Sequence, residues 1–382
     1  CASWQRTKSG VPFASFPGRW YNVVRRPGSL GEYASRTRHL AARLCVVASP
    51  VCRMTRFILR RLLILPIALL VINFVAFSYA HLAQRVQLSQ NPFGSNVDAT
   101  APLLPLYRAY LGNALTGNWG QMPLVGSQAE TVRDVVLAAA GASLVLLSIA
   151  FLLSLVIGLL LGLAAVRTHP PGLRPWLPPL ASLGLAAPSF FVGALGIAVV
   201  LALYMRSGEG ARLLLPLSGY GLDLHLILPV LALTIRPTMQ IAQNAASVLV
   251  DELGKQHVVT ARSLGISLRT IRRKHALRNV LPAVILAVAA SLRLMVGELI
   301  LVEWLFGWPG LGKLLASALL PPNVASAGGL AGALRTFLHP ELVAATLTLF
   351  GLLFLLTDTV SAIAAYAVDP RLRLSLEARS HG

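Results

Sequence analysis

KQHVVTARSLGISLRTIRRKHALRNVLPAV, residues 255–284, changes character twice along its length. Its first part can form a short helix around Val258 to Leu264, and Gly265 then supplies the permissive backbone at which such a helix ends and turns. A basic run follows and leads straight into apolar sequence. The segment sits between two apolar runs, approximately 226–249 and 279–303, each long enough for the roughly 20 residues that a helix needs to cross hydrocarbon. A short polar helix is thus held between two membrane spans.

Working outward in both directions gives four more such runs, approximately 57–80, 135–166, 178–205 and 341–367. The composition agrees. Of the 382 residues only 12% are charged, against about 25% in a soluble domain, and the mean hydropathy is +0.69. The formal charge of +19 could suit a nucleic acid, but the basic residues lie between apolar runs rather than on one polar module, which excludes that reading. The expected fold is an all-α membrane protein of about six transmembrane helices.

Six spans place both termini on one side, and basic residues mark the cytoplasmic loops. Fifteen Lys/Arg fall on the side of Met54, including Arg56, Arg60, Arg61 and seven between the fourth and fifth spans, against seven in the opposite loops. The termini are therefore expected in the cytoplasm, with the helix at 256–265 beside them.

Residues 1–53 hold nine Lys/Arg against one acid, Glu32, without periodicity. The stretch MTRFILRRLLILPIALL from Met54 reads as a natural start, so 1–53 are expected to be disordered or an extension from a start assigned too far upstream. Cys1, Cys45 and Cys52 all lie there and have no metal-type spacing. No metal site is expected.

Charges inside spans cost about 2.5–3.5 kcal/mol each at the bilayer centre. Arg236 precedes Pro237 in the fourth span, and Arg293, Glu298 and Glu303 share the fifth. These four are expected to face the bundle interior, either as a polar translocation path or as structural ion pairs.

The order Thr260-Ala261-Arg262-Ser263-Leu264-Gly265, then His275-Ala276-Leu277-Arg278-Asn279, then Pro282 resembles the cytoplasmic loop of ABC importer permeases of the dipeptide/oligopeptide/nickel family. There a small-residue helix, a Gly and a later Pro form the coupling helix that docks on the ATPase. One departure stands out: the charged residue that usually opens the motif is Val259 here.

Four more stretches carry the resemblance, which covers 54–374. FILRRLLILPIALLVINFVAF (57–77) looks like the family's opening span, and YLGNALTGNWG (110–120) is similar to the segment before its second. LVEWLFGWPGLGKLL (301–315) resembles its E-x-x-F-x-W-P-G-L-G element, with Glu303, Trp308, Pro309, Gly310 and Gly312 in place, and Asp369-Pro370-Arg371 resembles its terminal signature. Trp308 suits the headgroup level near the extracytoplasmic mouth, and Pro309 with Gly310 would bend the chain there. Gly307 to Lys313 also reads GxxxxGK, but Leu314 follows where a phosphate-binding loop needs Ser or Thr, so it is no nucleotide site.

The resemblance implies a type I ABC importer permease fold, residues 54–374 with a cytoplasmic tail at 375–382, in the inner membrane. It implies half of a heterodimeric pore with a second permease subunit, two ATP-binding subunits and an extracytoplasmic substrate-binding protein. It implies no catalysis and no cofactor in this chain, ATP and Mg being held by the partner subunits. The rival from another class is a secondary, ion-coupled transporter, which needs interrupted midplane helices and usually an internal repeat. A membrane enzyme needs clustered catalytic residues, whereas His81, His225 and His339 sit singly near span ends.

Overall fold

In the computed structural model of the chain, the described residues are 58–87, 102–122, 130–168, 170–207, 215–267, 270–321 and 336–368. The chain divides into Cys1–Arg53 and Met54–Gly382, and every described residue belongs to the second unit. The extension expected at 1–53, the stretch 369–374 and the tail at 375–382 lie outside the described residues.

Six helices in the described residues are long and apolar enough to cross a membrane. The first is α1, Ile58–Gln87, which presents Leu62, Leu63, Ile67 and Leu70 at its surface. Such a surface is stable only where lipid or another apolar face replaces water. Helix α2, Leu103–Leu115, packs back on α1: Tyr107 and Tyr110 are buried against Phe74 and Phe77. Asn73 ties these helices to the last one. Its Nδ2 donates to Thr348 Oγ1 at 2.9 Å, and Tyr107 donates its hydroxyl to Asn73 Oδ1 at 3.2 Å.

Helix α3, Val132–Ala164, begins where the Thr131 hydroxyl accepts from the Asp134 backbone N–H, filling one of the donors that a helix start leaves open. A hairpin follows, β1 Val166–Thr168 paired antiparallel with β2 Pro171–Leu173. The expected continuous span at 178–205 is two helices instead, α4 Leu177–Ala186 and α5 Ser189–Arg206. Pro188 is the cause: it has no N–H to continue the ladder, and it drives Ala187 into extended backbone. Only α5, at about 27 Å, is left to cross.

Helix α6, Ile227–Leu253, enters through a 3-10 turn, Leu224–Leu226, capped by the Asp223 side chain. Half of its most apolar window is buried, the largest share of any span. Small residues make this possible. A Cβ at Gly158 of α3 would lie 2.9 Å from Ile241 Cβ, and one at Gly162 would lie 2.9 Å from the Ala242 carbonyl, so the two backbones pack as closely as glycine allows.

After α6 come the short α7, Gln256–Ser263, a π-turn at Ile271–Ala276, and α8, Leu277–Leu305. Helix α9, Leu311–Leu319, is too short to span, and α10, Pro340–Val368, closes the bundle. Three apolar clusters fill the interior. One joins α1, α2, α9 and α10; a central one gathers Leu146, Leu233, Met295, Leu299 and Trp308; the third lies at the end that carries α7, around Leu249, Val258, Ile271 and Val280.

Candidate functional site

At the α7 end, one buried carboxylate organises three elements. Glu252, on the last turn of α6, is 3% exposed. It accepts from Lys255 Nζ, from Asn279 Nδ2 on α8 at 2.7 Å, and lies 3.3 Å from His257 Nε2. A buried carboxylate is tolerated only when its lone pairs are filled in this way. The start of α7 is thereby fixed to the end of α6 and the start of α8.

The other end of α7 closes on Gly265, whose φ of +78° suits glycine and few other residues. Ile266 N–H donates to the Ala261 carbonyl at 3.2 Å and Gly265 N–H to the Arg262 carbonyl at 2.9 Å, the paired bonds of a Schellman stop. Val258 is buried in the cluster beneath, and Arg272 Nη2 donates to the Leu163 carbonyl at 2.7 Å, holding the π-turn to the end of α3.

What α7 presents outward is largely polar, Gln256, His257, Thr260, Arg262 and Ser263, with Val259 as its one exposed apolar side chain. Thr260 and Ser263 turn their hydroxyls onto the carbonyls of Gln256 and Thr260 of their own helix, a local bond common for these residues. Val259 and Leu264 are 53% and 75% exposed, with Ile266 beside them. Arg262 is exposed and Ala261 half-buried. Arg278 is exposed at the start of α8, Pro282 lies within that helix, and the side chain of His275 is outside the described residues.

The four intramembrane charges are not one group. Arg236 on α6 pairs with Glu298 on α8. Arg293 belongs elsewhere and does not face the interior: it is exposed, and its Nη1 donates to Asp358 Oδ1 on α10 at 2.9 Å, while Arg61 of α1 donates to Asp358 Oδ2 at 2.6 Å. Asp358, an acid in the middle of the sixth apolar run where Glu341 stands only at its start, was the available signal for this triad. Glu303 lies apart from both sets and is fully buried.

Beside the Arg236–Glu298 pair opens a cleft of about 410 Å³ lined by Leu185, Arg236, Gln240, Gln243, Asn244, Ser247 and Leu294. Five of these residues form a polar stripe on one face of α6, at the helical spacing of 236, 240, 243, 244 and 247. Gln240, Gln243, Asn244 and Ser247 were missed from sequence, although that spacing inside an apolar span is legible.

At the opposite end, Glu303 holds a corner. Its Oε1 accepts from the Ser143 hydroxyl at 2.6 Å and its Oε2 from the Gly312 N–H at 2.6 Å. Ser143 Oγ in turn accepts from Leu311 N–H at 2.8 Å, so the carboxylate of α8, the hydroxyl of α3 and the N-terminus of α9 form one network. Gly310 and Gly312 are small for cause, since a Cβ on the first would strike the Glu303 carboxylate and one on the second the Ile300 Cα. Pro309 precedes extended backbone at Gly310, which caps α9.

Trp308 is not at a lipid-facing headgroup belt. It is fully buried, donates Nε1–H to the Ala142 carbonyl at 3.0 Å and meets Tyr220 edge to face. Lys313 donates to the Gly307 carbonyl at 2.8 Å, and burial lowers its ammonium pKa.

Residues 154–374 match the family described as binding-protein-dependent transport system inner membrane component. The match begins within α3 and takes in the stripe, α7 and the Glu303 corner apart from Ser143, which precedes it. The chain is 28% identical over 277 residues to the dipeptide transport system permease protein of Lactococcus lactis subsp. cremoris, covering 72% of this chain and 82% of that one. It is 27% identical over 349 residues to the oligopeptide transport system permease protein of Mycobacterium bovis, covering 84% and 100%.

Proposed function

This chain belongs to the binding-protein-dependent transport system inner membrane components, and from that membership we propose that it is one of two different permease subunits of an ATP-driven peptide importer. It is a multi-pass inner-membrane protein with six helices long enough to span. In our reading α7 faces the cytoplasm with both termini, and two ATPase subunits, which hold ATP and Mg, dock there. The Glu303 corner faces outward, where a substrate-binding protein delivers cargo. Peptide cargo is supported by the names of the relatives, which are a dipeptide and an oligopeptide permease.

The observation that carries this reading is the lever at the α7 end. A short helix closed at Gly265 is fastened through Glu252 to two long helices at once, so motion imposed on α7 is delivered to the spans. Two-state rigid-body movement of packed helices is an established route to alternating access. Val259 stands where the family's motif carries a charge, so in our reading docking rests on the exposed Gln256, Thr260, Arg262 and Ser263, with Val259 and Leu264 as apolar contacts among them.

The test places single cysteines at Ala261 and Ser263 and crosslinks the assembled importer. Crosslinks to an ATPase subunit, formed from the cytoplasmic side, are expected. Their absence at both positions overturns the coupling role, and peptide uptake that continues with the ATPases inactivated assigns the chain to ion-coupled transport instead.

A further inference from the structure

We propose that the Arg236–Glu298 pair receives the two charged termini of a short peptide in transit, with the amide side chains of Gln240, Gln243 and Asn244 bonding its backbone. This rests on the reading of the chain as a peptide permease and assigns the part of the path that recognises cargo.

The pair is incomplete as it stands. Arg236 and Glu298 bond through one nitrogen and one oxygen, while Arg236 Nε and Glu298 Oε2 are buried without a hydrogen-bond partner among the described residues. Gln240 Oε1 is in the same condition. A purely structural ion pair in low dielectric is stabilising only when the remaining donors and acceptors are filled. Here one cationic donor and one amide acceptor, a turn apart on α6, and one anionic acceptor on α8 are left over.

Those leftovers match one chemistry. A peptide brings a carboxylate for the guanidinium, an ammonium for the carboxylate and amide N–H groups for the glutamine oxygen. An anion alone would strand Glu298, a cation alone would strand Arg236, and a neutral sugar would strand both. When a zwitterion enters, one ion pair is exchanged for two, so no charge is left bare in the membrane. Arg236 and Glu298 stand on different helices, α6 and α8, and can part without unfolding either.

Size and placement agree. The cleft of about 410 Å³ lies within the roughly 300–1,000 Å³ of small-molecule sites. From Arg236 the stripe continues to Ser247, about 16 Å along α6, toward the end that carries α7. It therefore offers amide groups in succession along the direction of travel, while Leu185 and Leu294 supply apolar walls for side chains.

The experiment follows uptake of tri-alanine, tri-alanine amide and N-acetyl-tri-alanine by cells carrying the complete importer, in wild type, Arg236→Gln, Glu298→Gln and the double variant. The binding protein also discriminates termini, but its contribution is common to all four and cancels in the variant-by-peptide cycle. Arg236→Gln is expected to reduce the preference for free over amidated peptide about tenfold, and Glu298→Gln the preference for free over acetylated peptide by as much, as loss of one charged hydrogen bond implies.

Either single variant could fail to insert because its partner is left as an unpaired charge, so the double variant, which leaves no bare charge, supplies the same two ratios. If wild type takes up the peptides and both preferences are unchanged in the variants, the pair is structural and this inference fails while the permease reading stands. If the wild-type importer takes up none of the three, both fail together.

Discussion

Glu252 and Asn279, 27 positions apart and on different long helices, are joined by a 2.7 Å hydrogen bond in which the Asn279 amide donates to the carboxylate. The same carboxylate takes Lys255 at the start of α7. Its loss therefore separates three elements in one step.

Glu252→Ala is expected to cost about 0.5–1.5 kcal/mol, the net worth of a hydrogen bond, because the partner it leaves, Asn279, is exposed. Lys255 and His257 are largely solvated and add little. The larger effect is on coupling: ATP hydrolysis by the assembled importer should persist while peptide uptake falls, read as the ratio of the two rates. Uptake that falls only in proportion to the amount of protein would deny Glu252 this role.

Gly312→Ala should be more damaging than Gly310→Ala. The first sets a Cβ against the Ile300 backbone, which cannot turn aside, whereas the second meets the Glu303 side chain. Overpacking costs about 1–3 kcal/mol, and the carboxylate cannot yield freely because Ser143 and Gly312 both hold it. Melting of the purified protein in detergent checks the order of the two variants.

Asp358→Asn removes the charge that Arg61 and Arg293 share. All three stand on spans, where an outward face meets lipid rather than water, so the stability lost is that of a guanidinium left without its counter-charge, about 2.5–3.5 kcal/mol at the bilayer centre and less toward either end. Asp358→Glu should recover most of it. A neutral variant that melts like wild type would show the triad to be inert.

Burial holds the His339 ring below the usual histidine pKa, against a smaller raising effect from a backbone bond to Gln121, and its Nδ1 accepts from Leu342 N–H at the start of α10. The folded protein thus prefers the neutral ring. An unfolded histidine titrates near about 6.5. Below that pH the unfolded chain takes up a proton that the folded chain refuses, so the contribution is present above about 6.5 and is lost as pH falls toward the lowered value. His339→Asn should flatten melting temperature between about pH 7 and pH 5.5; an unchanged slope would contradict it.

The six crossings were legible because a run of some 20 apolar residues has few other uses, and the α7 turn because Gly265 follows a short helical pattern. What escaped depended on distance or direction. The break at Pro188 was written in the chain, but hydropathy stays high across it, and the division of α4 from α5 rests on the lost N–H and the extended backbone that proline imposes on Ala187. Ser143 lies 160 positions from the Glu303 it serves, beyond any local pattern. Trp308 looked like a headgroup residue because hydropathy does not distinguish a ring facing lipid from one sealed in a core. Arg293 was grouped with Glu298 by proximity in sequence, whereas its side chain leaves α8 toward Asp358.

Helix α6 carries the lever at one end and the cleft on its flank. Arg236 stands about 25 Å from Leu253 along the axis, so a tilt of about ten degrees pivoting at Leu253 sweeps the guanidinium sideways by about 4 Å. In the proposed importer, the rod that feels the motor is also the rod that grips the freight, and no separate transmission is required between the two.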